Sequence, residues 1–346
     1  MDLTIAICTY NGADRLPRVL DCLRSQINTQ AFSWEVLVID NNSSDATVLV
    51  VQQQQATWSL PWPLRYEFEP RQGLAFARRR AVQHSQSPLI GFLDDDNWPA
   101  PDWVAQVLTF GAAHAQAGAY GSQILPHYEE LPPPGFERIA SCLALADRGS
   151  MAYRYAPEHW RFPAGAGLAV RRQAWLEAVP AEPLLEGVCG RALSTKGEDV
   201  ETLSYLNQAG WEIWHNPAMQ IEHHVPRQRL QPDYLLRLFR GIGLGRYPTR
   251  KIRFRSWQWP LVVPLFFLSD LRKLLWHLGQ HPTSRDVVVA CERTLLLYSL
   301  LSPWRYWLLR QPGEVVSPAI SAGPAAVEQL ELTPSGGPSS ASNLAS

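Results

Sequence analysis

An α/β fold with a largely parallel sheet is what the sequence predicts, and three observations carry that prediction. Short apolar runs, LTIAIC at 3–8, EVLVI at 35–39 and PLIGFL at 88–93, show no polar alternation, as strands buried on both faces require. Each run stops at a polar cluster, and a segment with helical spacing follows it. The repeated order of strand, loop and helix fits parallel strands joined by right-handed crossovers.

The first strand, Leu3 to Cys8, ends before the turn signal Asn11-Gly12, and Leu16, Val19, Leu20 and Leu23 then share one face of a helix over Leu16 to Arg24. The second strand, Glu35 to Ile39, runs into Asp40 and the capping cluster Asn41, Asn42, Ser43 and Ser44, which opens a helix over Asp45 to Gln55. Gly73 to Ser85 predicts a helix, and Pro88 to Leu93 a strand that ends abruptly in Asp94, Asp95 and Asp96. After a helix over 102–117, Gln123 to Phe162 is rich in proline and aperiodic, which predicts a long surface loop with short helices. Pro163 to Arg172 predicts a small-residue turn entering a strand, and Glu198 to Ala209 a helix. Trp211 to His215 and Met219 to Glu222 predict two strands that complete a mixed sheet before His223 and His224. Helical segments follow at Pro232 to Leu244, Trp257 to Gly279 and Arg285 to Arg310. Beyond Pro312 the composition of Ser, Pro, Gly and Ala predicts disorder. The expected division is a catalytic domain at 1–225, a helical extension at 226–311 and a tail at 312–346.

Charge separates the same regions. The 346 residues hold 31 Lys and Arg against 32 Asp and Glu, a formal net charge of −1. Met1 to His224 holds 16 basic and 25 acidic residues, Val225 to Arg310 holds 15 and 4, and the remainder none and 3. A near-neutral total thus hides an acidic body and a basic, Trp-bearing third. A hydrophobic content of 46% excludes global disorder. The five cysteines form no CxxC pair and no zinc spacing, which suggests a reducing compartment. The N-terminus lacks the basic start and long apolar run of a signal peptide. The apolar runs fall short of the roughly 20 residues of a spanning helix, so nothing is expected to cross a membrane unaided.

Ligands of open α/β sheets collect at the carboxyl ends of strands, and Cys8, Ile39 and Leu93 are each followed there by polar residues. Three consecutive aspartates at a buried strand end crowd like charges. Either solvent or a divalent cation resolves that, Mg²⁺ or Mn²⁺ being the hard ions that suit oxygen ligands. Asp94 and Asp96 lie on the same side of an extended segment and could share one ion. Asp40 could bond a nucleotide base or ribose, or cap the helix after it. Of Arg71, Arg78, Arg79 and Arg80, at least one could meet a phosphate, the others forming an exposed helix face. Asp199, in Gly197-Glu198-Asp199, could complement the helix dipole or take a proton from an attacking hydroxyl. His223 and His224 could supply a neutral imidazole to a metal, or serve as ordinary surface or core residues. Small residues at Pro163 to Gly167 would let a substrate approach the backbone, or simply form a tight turn.

The succession TIAICTYNGADRLPRVLDCLRSQ, EVLVIDNNSSDAT, RQGLAFARRRAVQHSQSPLIGFLDDDN and GEDVETLSYLNQAGWEIWHNP resembles family 2 glycosyltransferases of the GT-A fold, over about residues 3–224. The resemblance implies a Rossmann-like mixed sheet flanked by helices, with the C-terminal helices as an extension. It implies an inverting, hexosyl-type transferase that moves a sugar from a nucleotide-diphosphate donor to an acceptor hydroxyl on a glycan or lipid-linked substrate, in polysaccharide or glycolipid synthesis. On the family's pattern Thr9, Tyr10, Asn11 and Asp40 cradle the base and ribose, and Arg78 faces the nucleotide. Asp94 and Asp96 mark the DxD element, the first nearer the ribose and the last on a divalent metal, with Asp95 between them among the donor-binding residues. Asp199 matches the catalytic base, and His224 or His223 a further metal ligand. The chain lacks the Q-x-x-R-W element of processive synthases. That favours single addition over polymerisation. A scaffold that kept the fold and binds nucleotide sugar without turnover is the alternative.

In the basic third, Trp257, Trp259, Trp276, Trp304 and Trp307 stand beside Arg and Lys, and Leu261 to Leu268 carries no charge. This suits an interfacial helix against an anionic leaflet, or else a helical cap packed on the catalytic domain. No nucleic-acid recognition motif is present. The expected location is cytoplasmic, peripheral at the inner face of the plasma membrane.

Overall fold

The computed structural model describes residues 1–145, 147–156, 161–189, 196–282 and 284–309. The tail expected to be disordered lies outside the described residues. Strands β1 (Leu3–Thr9) and β2 (Trp34–Asp40) are buried at every position, as their uninterrupted apolar runs demand. They pair in parallel from Leu3 opposite Trp34 to Thr9 opposite Asp40. Strand β3 (Leu64–Phe68) adds in parallel beyond β2, and β4 (Leu89–Asp94) on the other side of β1 sets Asp94 opposite Cys8. The ends of β1, β2 and β4 therefore lie side by side.

Between these strands run α1 (Leu16–Arg24), α2 (Thr47–Ala56) and α3 (Leu74–His84). Helix α1 buries Leu16, Val19, Leu20 and Leu23, the apolar face read from the sequence. After β5 (Asn97–Pro99) comes α4 (Trp103–Ala113), whose Trp103 ring lies against Gly91 of β4, where a Cβ would stand 2.7 Å from the ring. A glycine inside that strand is the space for this tryptophan. Strands β6 (Ala117–Tyr128), β7 (Tyr153–Arg154) and β8 (Ala169–Arg171), helices α5 (Arg172–Ala178) and α6 (Glu198–Gln208), and strand β9 (Glu212–Val225) complete this part. Among the described residues the sheet has the order β3-β2-β1-β4-β8-β6-β9-β5, with β7 paired to β9. The first four strands are parallel, and β8, β5 and β7 run antiparallel to their neighbours, so the sheet is mixed.

Three expectations change. The surface loop expected from Gln123 begins instead as the outer half of β6, whose pairing with β9 continues through Pro126 to Tyr128. The loop that follows does contain two short 3-10 turns, at Phe136–Arg138 and Ala140–Leu143. The two expected strands at 211–222 are one strand, β9. Its register against β6 shifts where Ser122 faces Asn216 and Gln123 faces Gln220, so the Asn216-Pro217 interruption is absorbed as an irregularity. His223 and His224 consequently sit inside β9 and project to opposite faces.

A 3-10 turn at Arg227–Leu230 leads to helices α7 (Pro232–Ile252), α8 (Trp259–Gln280) and α9 (Val287–Leu309). Helix α7 runs past its expected end through Pro248, which cannot donate to the carbonyl of Leu244. The Ser302 hydroxyl of α9 donates to that carbonyl at 2.6 Å, while Ser302 Oγ accepts the Tyr247 N–H at 2.9 Å. Gly243 lets the two helices approach, since a Cβ there would lie 2.8 Å from that of Tyr298. Asp270 of α8, 1% exposed, receives a bidentate pair from Arg250 of α7 at 2.6 and 3.0 Å. Residues 1–309 form one compact unit. Among the described residues one helix, at Val287–Leu308, is long and apolar enough to cross a membrane by length and composition, with mean hydropathy 1.2. The sequence expectation was that every apolar run is too short. Here Glu292, Arg293 and Arg305 interrupt the run without ending the helix, which buries Val288, Cys291 and Ser302.

Candidate active site

The ends of β1 and β4 open into a cleft of about 490 Å³, bounded also by Ala164 to Ala166, the start of α6, and Arg229, Tyr234 and Leu238. Its floor is the aspartate run, and each of the three carboxylates faces a different arginine. Asp95 is bound bidentately by Arg15, Nε to Oδ1 at 2.7 Å and Nη2 to Oδ2 at 2.8 Å, while Thr9 Oγ1 donates to Oδ2 at 2.6 Å. Gly12 makes this possible: a Cβ there would lie 2.0 Å from Thr9 Oγ1 and 2.5 Å from Asp95 Oδ2. Asp96 Oδ2 pairs with Arg229 Nη2 at 2.5 Å, and its Oδ1 accepts from Asn97 Nδ2 at 3.1 Å. Asp94 Oδ1 stands 3.9 Å from Arg78 Nη2, and the other arm of that guanidinium is 3.8 Å from Glu198. Gly165 leaves room for Arg78, whose Nη2 would be 2.3 Å from a Cβ at that position.

These pairings set proton affinities. Loss of solvation pushes the Asp94 carboxyl up to about 6, with Asp96 and Asp95 adding to the shift against the attraction of Arg78. Asp95 is also raised by burial, though Arg15 and Thr9 oppose it. At Asp96 burial is outweighed by Arg229, His223 and Arg15, and the carboxyl is lowered. Arg78 is buried, which works against its charge, yet Asp94, Glu198 and Asp199 hold the guanidinium above its usual value.

Helix α6 begins after Gly197, whose φ of +123° suits glycine. Asp199 in its first turn lines the cleft, with Oδ1 accepting the Val200 N–H at 2.8 Å and Oδ2 the Gly165 N–H at 3.1 Å. Burial and then Glu198 raise its proton affinity, against Arg78 and the two amides. A half-buried carboxylate so poised suits proton abstraction.

The cleft therefore brings together Thr9, Tyr10, Arg78, Asp94, Asp95, Asp96, Asp199 and His223. Three of the residues expected there do not line it. Asn11 holds the loop after β2, its amide donating to Ser43 Oγ at 2.9 Å and its Oδ1 accepting the Ser44 N–H at 2.8 Å. Asp40 accepts from Tyr66 OH at 2.8 Å and from the Ser43 N–H at 2.9 Å, so it organises the same loop. His224 stacks on Trp98 and pairs with Glu129 at 3.0 Å on the far face of the strand. His223 is the imidazole beside Asp96, its Nδ1 3.7 Å from Oδ1. Outside the cleft, Arg71 and Arg79 pair with Glu182 and Arg80 with Glu67.

Sequence reasoning missed Arg15, Asn41, Lys196 and Arg229, all of which line the cleft. Arg15 alone had a local signal. It stands at the N-cap of α1, where a cation opposes the helix dipole and needs an acidic partner.

The family model for glycosyl transferase family 2 matches residues 4–175. Succinoglycan biosynthesis protein ExoM of Rhizobium meliloti (strain 1021) is 23% identical over 270 residues, which are 76% of this chain and 80% of that protein. The glucosyl-dolichyl phosphate glucuronosyltransferase of Haloferax volcanii is 20% identical over 247 residues, 71% of this chain and 75% of that one. Among solved structures, the mannosyltransferase PcManGT from Pyrobaculum calidifontis, in complex with GDP-Man and Mn²⁺, shares the fold with a TM-score of 0.56 at 16% identity, over 90% of this chain and 88% of that chain. With the mixed sheet and its strand-end cleft, these likenesses place the chain in glycosyl transferase family 2, on the GT-A fold.

Proposed function

We propose that the protein is an inverting glycosyltransferase that moves a hexosyl unit from a nucleotide-diphosphate donor to a hydroxyl of a glycan or lipid-linked acceptor. The observation that carries this reading is the placing of Asp199 in one cleft with Arg78 and the aspartate run. Asp199 takes the proton from the acceptor hydroxyl as its oxygen bonds the anomeric carbon. The bond from that carbon to the diphosphate oxygen breaks on the opposite face, so one displacement inverts the centre. Arg78, paired with Asp94 and Glu198, lends positive charge to the side where the diphosphate departs, while the Gly165 and Val200 amides hold Asp199. Thr9 and Tyr10 line the donor end of the cleft. The names of the relatives, one in succinoglycan synthesis and one acting on a dolichyl-phosphate sugar, support a growing polysaccharide or a lipid-linked glycan as acceptor.

The residues fit a divalent cation. Asp96 and His223 are both nearly fully buried, and one guanidinium already bridges them as a stand-in cation. Among the described residues no three Asp, Glu, His or Cys side chains converge on one point. That suits Mg²⁺ or Mn²⁺ held by few protein ligands and completed by substrate phosphate. When bound, the ion would neutralise charge on the leaving diphosphate.

The helical region supports peripheral attachment to an anionic membrane at the cytoplasmic face. Leu261, Leu265, Leu268 and Leu275 of α8 and Leu297, Leu301, Trp304 and Leu308 of α9 are all exposed and recur at helical spacing. Phe267 and Trp304 meet at 5.9 Å, so the two apolar stripes adjoin. Exposed apolar surface of that extent marks an interaction face. Incubation with a panel of nucleotide sugars, Mn²⁺ and candidate acceptors, read by mass spectrometry, tests the function. A glycosylated product supports it, whereas tight donor binding without any product favours the scaffold reading.

A further inference from the structure

We propose that Arg229 is the resident counter-cation of the site: its guanidinium lies between Asp96 and His223, the residues that would hold a divalent cation, so that arginine and metal would exclude one another. The inference rests on the reading of those two residues as cation ligands. Arg229 comes from the 3-10 turn at Arg227–Leu230, and the buried Leu230 anchors that turn at the foot of α7. One arm of the guanidinium lies 2.5 Å from Asp96 Oδ2 and the other 3.1 Å from His223 Nε2. A single cation thus spans a carboxylate and an imidazole that otherwise have none between them.

The hold on Arg229 is imperfect, and Asn97 shows why. Asn97 Oδ1 accepts the Asp94 N–H at 3.0 Å and its Nδ2 donates to Asp96 at 3.1 Å, which fixes the amide's orientation. The same Nδ2 faces His223 Nδ1 at 2.8 Å. Both ring nitrogens of His223 are therefore faced by N–H donors. A neutral imidazole has one lone pair, so in either tautomer one contact sets donor against donor, and in the charged form both do. Arg15 on Asp95 has no such conflict, since its bidentate pair is complete. Arg229 also keeps 30% of its side chain exposed to the cleft, where a donor diphosphate would offer it a second anion. Donor and metal binding are coupled in consequence, because the diphosphate draws away the group that competes with the ion.

The test is Mn²⁺ affinity of the nucleotide-free protein, read from the electron paramagnetic resonance signal of free Mn²⁺. Arg229→Gln should tighten Mn²⁺ binding about tenfold, and Arg229→Lys, which keeps one cationic donor, should fall between it and the wild type. Adding Asp96→Asn to either variant should abolish the gain. Thermal melting with and without Mn²⁺ checks the fold, and if the Gln variant does not fold the Lys variant carries the same comparison. Equal or weaker Mn²⁺ binding in the variants, still lost with Asp96→Asn, overturns the inference and leaves the cation site standing. If none of the proteins binds Mn²⁺, the reading of Asp96 and His223 as ligands fails and the inference falls with it.

Discussion

The strand-end cleft and the helices beyond residue 226 treat charge in opposite ways. In the cleft, carboxylates and guanidinium groups are packed together, and every aspartate of the run faces its own arginine. In the helices the buried pair Arg250–Asp270 stands among apolar and aromatic side chains, while leucines and tryptophans that could have filled a core lie on the surface. Buried charge is costly unless a function or a complete partner set maintains it. Surface tryptophan is equally unneeded by a free-standing domain. On the proposed reading the cleft takes a small, charge-bearing donor, and the helical face meets an extended apolar partner.

That contrast can be broken in several ways. The largest effect belongs to the cleft: Asp199→Asn should lower turnover by about 10²- to 10⁴-fold, read as nucleoside diphosphate release by chromatography. Near wild-type turnover would place the base elsewhere. In the helices, Arg250→Ala strips buried Asp270 of its bidentate partner, leaving only the more distant Arg246 as counter-charge, and should cost about 3 kcal/mol in denaturant unfolding. A loss below about 1 kcal/mol would make the pair a surface feature in energetic terms. Replacing Trp276, Trp304 and Trp307 together by Ser should abolish co-flotation with anionic vesicles and change stability little. Unchanged flotation, or no flotation of the wild type at any salt concentration, would remove the membrane-facing role.

The smallest effect sharpens the electrostatics of α6. Burial pushes Glu201 up to about 7, although its carboxylate accepts the Leu184 and Leu185 amides at 2.8 Å each. Its ordinary value is 4.5, so between the two the folded protein holds a proton that the unfolded chain has released. Raising the pH through that window therefore favours unfolding. Wild-type stability should fall from pH 5 to pH 8 relative to Glu201→Gln, and parallel curves for the two proteins would show that the two amides keep Glu201 ionised.

How much of this was legible in the sequence varies with how local the signal is. Strands β1, β2 and β4 and helix α1 announce themselves, because a strand buried on both faces needs an unbroken apolar run and α1 needs apolar residues at helical spacing. Strand β3, LRYEF, is an edge strand with a half-polar pattern, and β6 carries Pro126 in a segment whose pairing is set by β9. The aspartate run is visible, but which arginine answers which aspartate is not. Asp95 and Asp96 meet Arg15 and Arg229 only because the sheet and the chain's return after β9 bring them there. The crowding of three carboxylates pointed toward a metal. The structure shows that each of them already faces an arginine, and on the proposed reading an ion would have to compete with Arg229 for Asp96. His223 and His224 are likewise indistinguishable in sequence, and the alternation of β9 separates them.

The stereochemistry of transfer tests the central claim most directly. Proton NMR of the newly formed linkage, followed during turnover with an α-configured nucleotide sugar, should show a β-anomeric product, formed by the wild type and not by Asp199→Asn. An α-linked product, with configuration retained, would contradict a single displacement driven by Asp199.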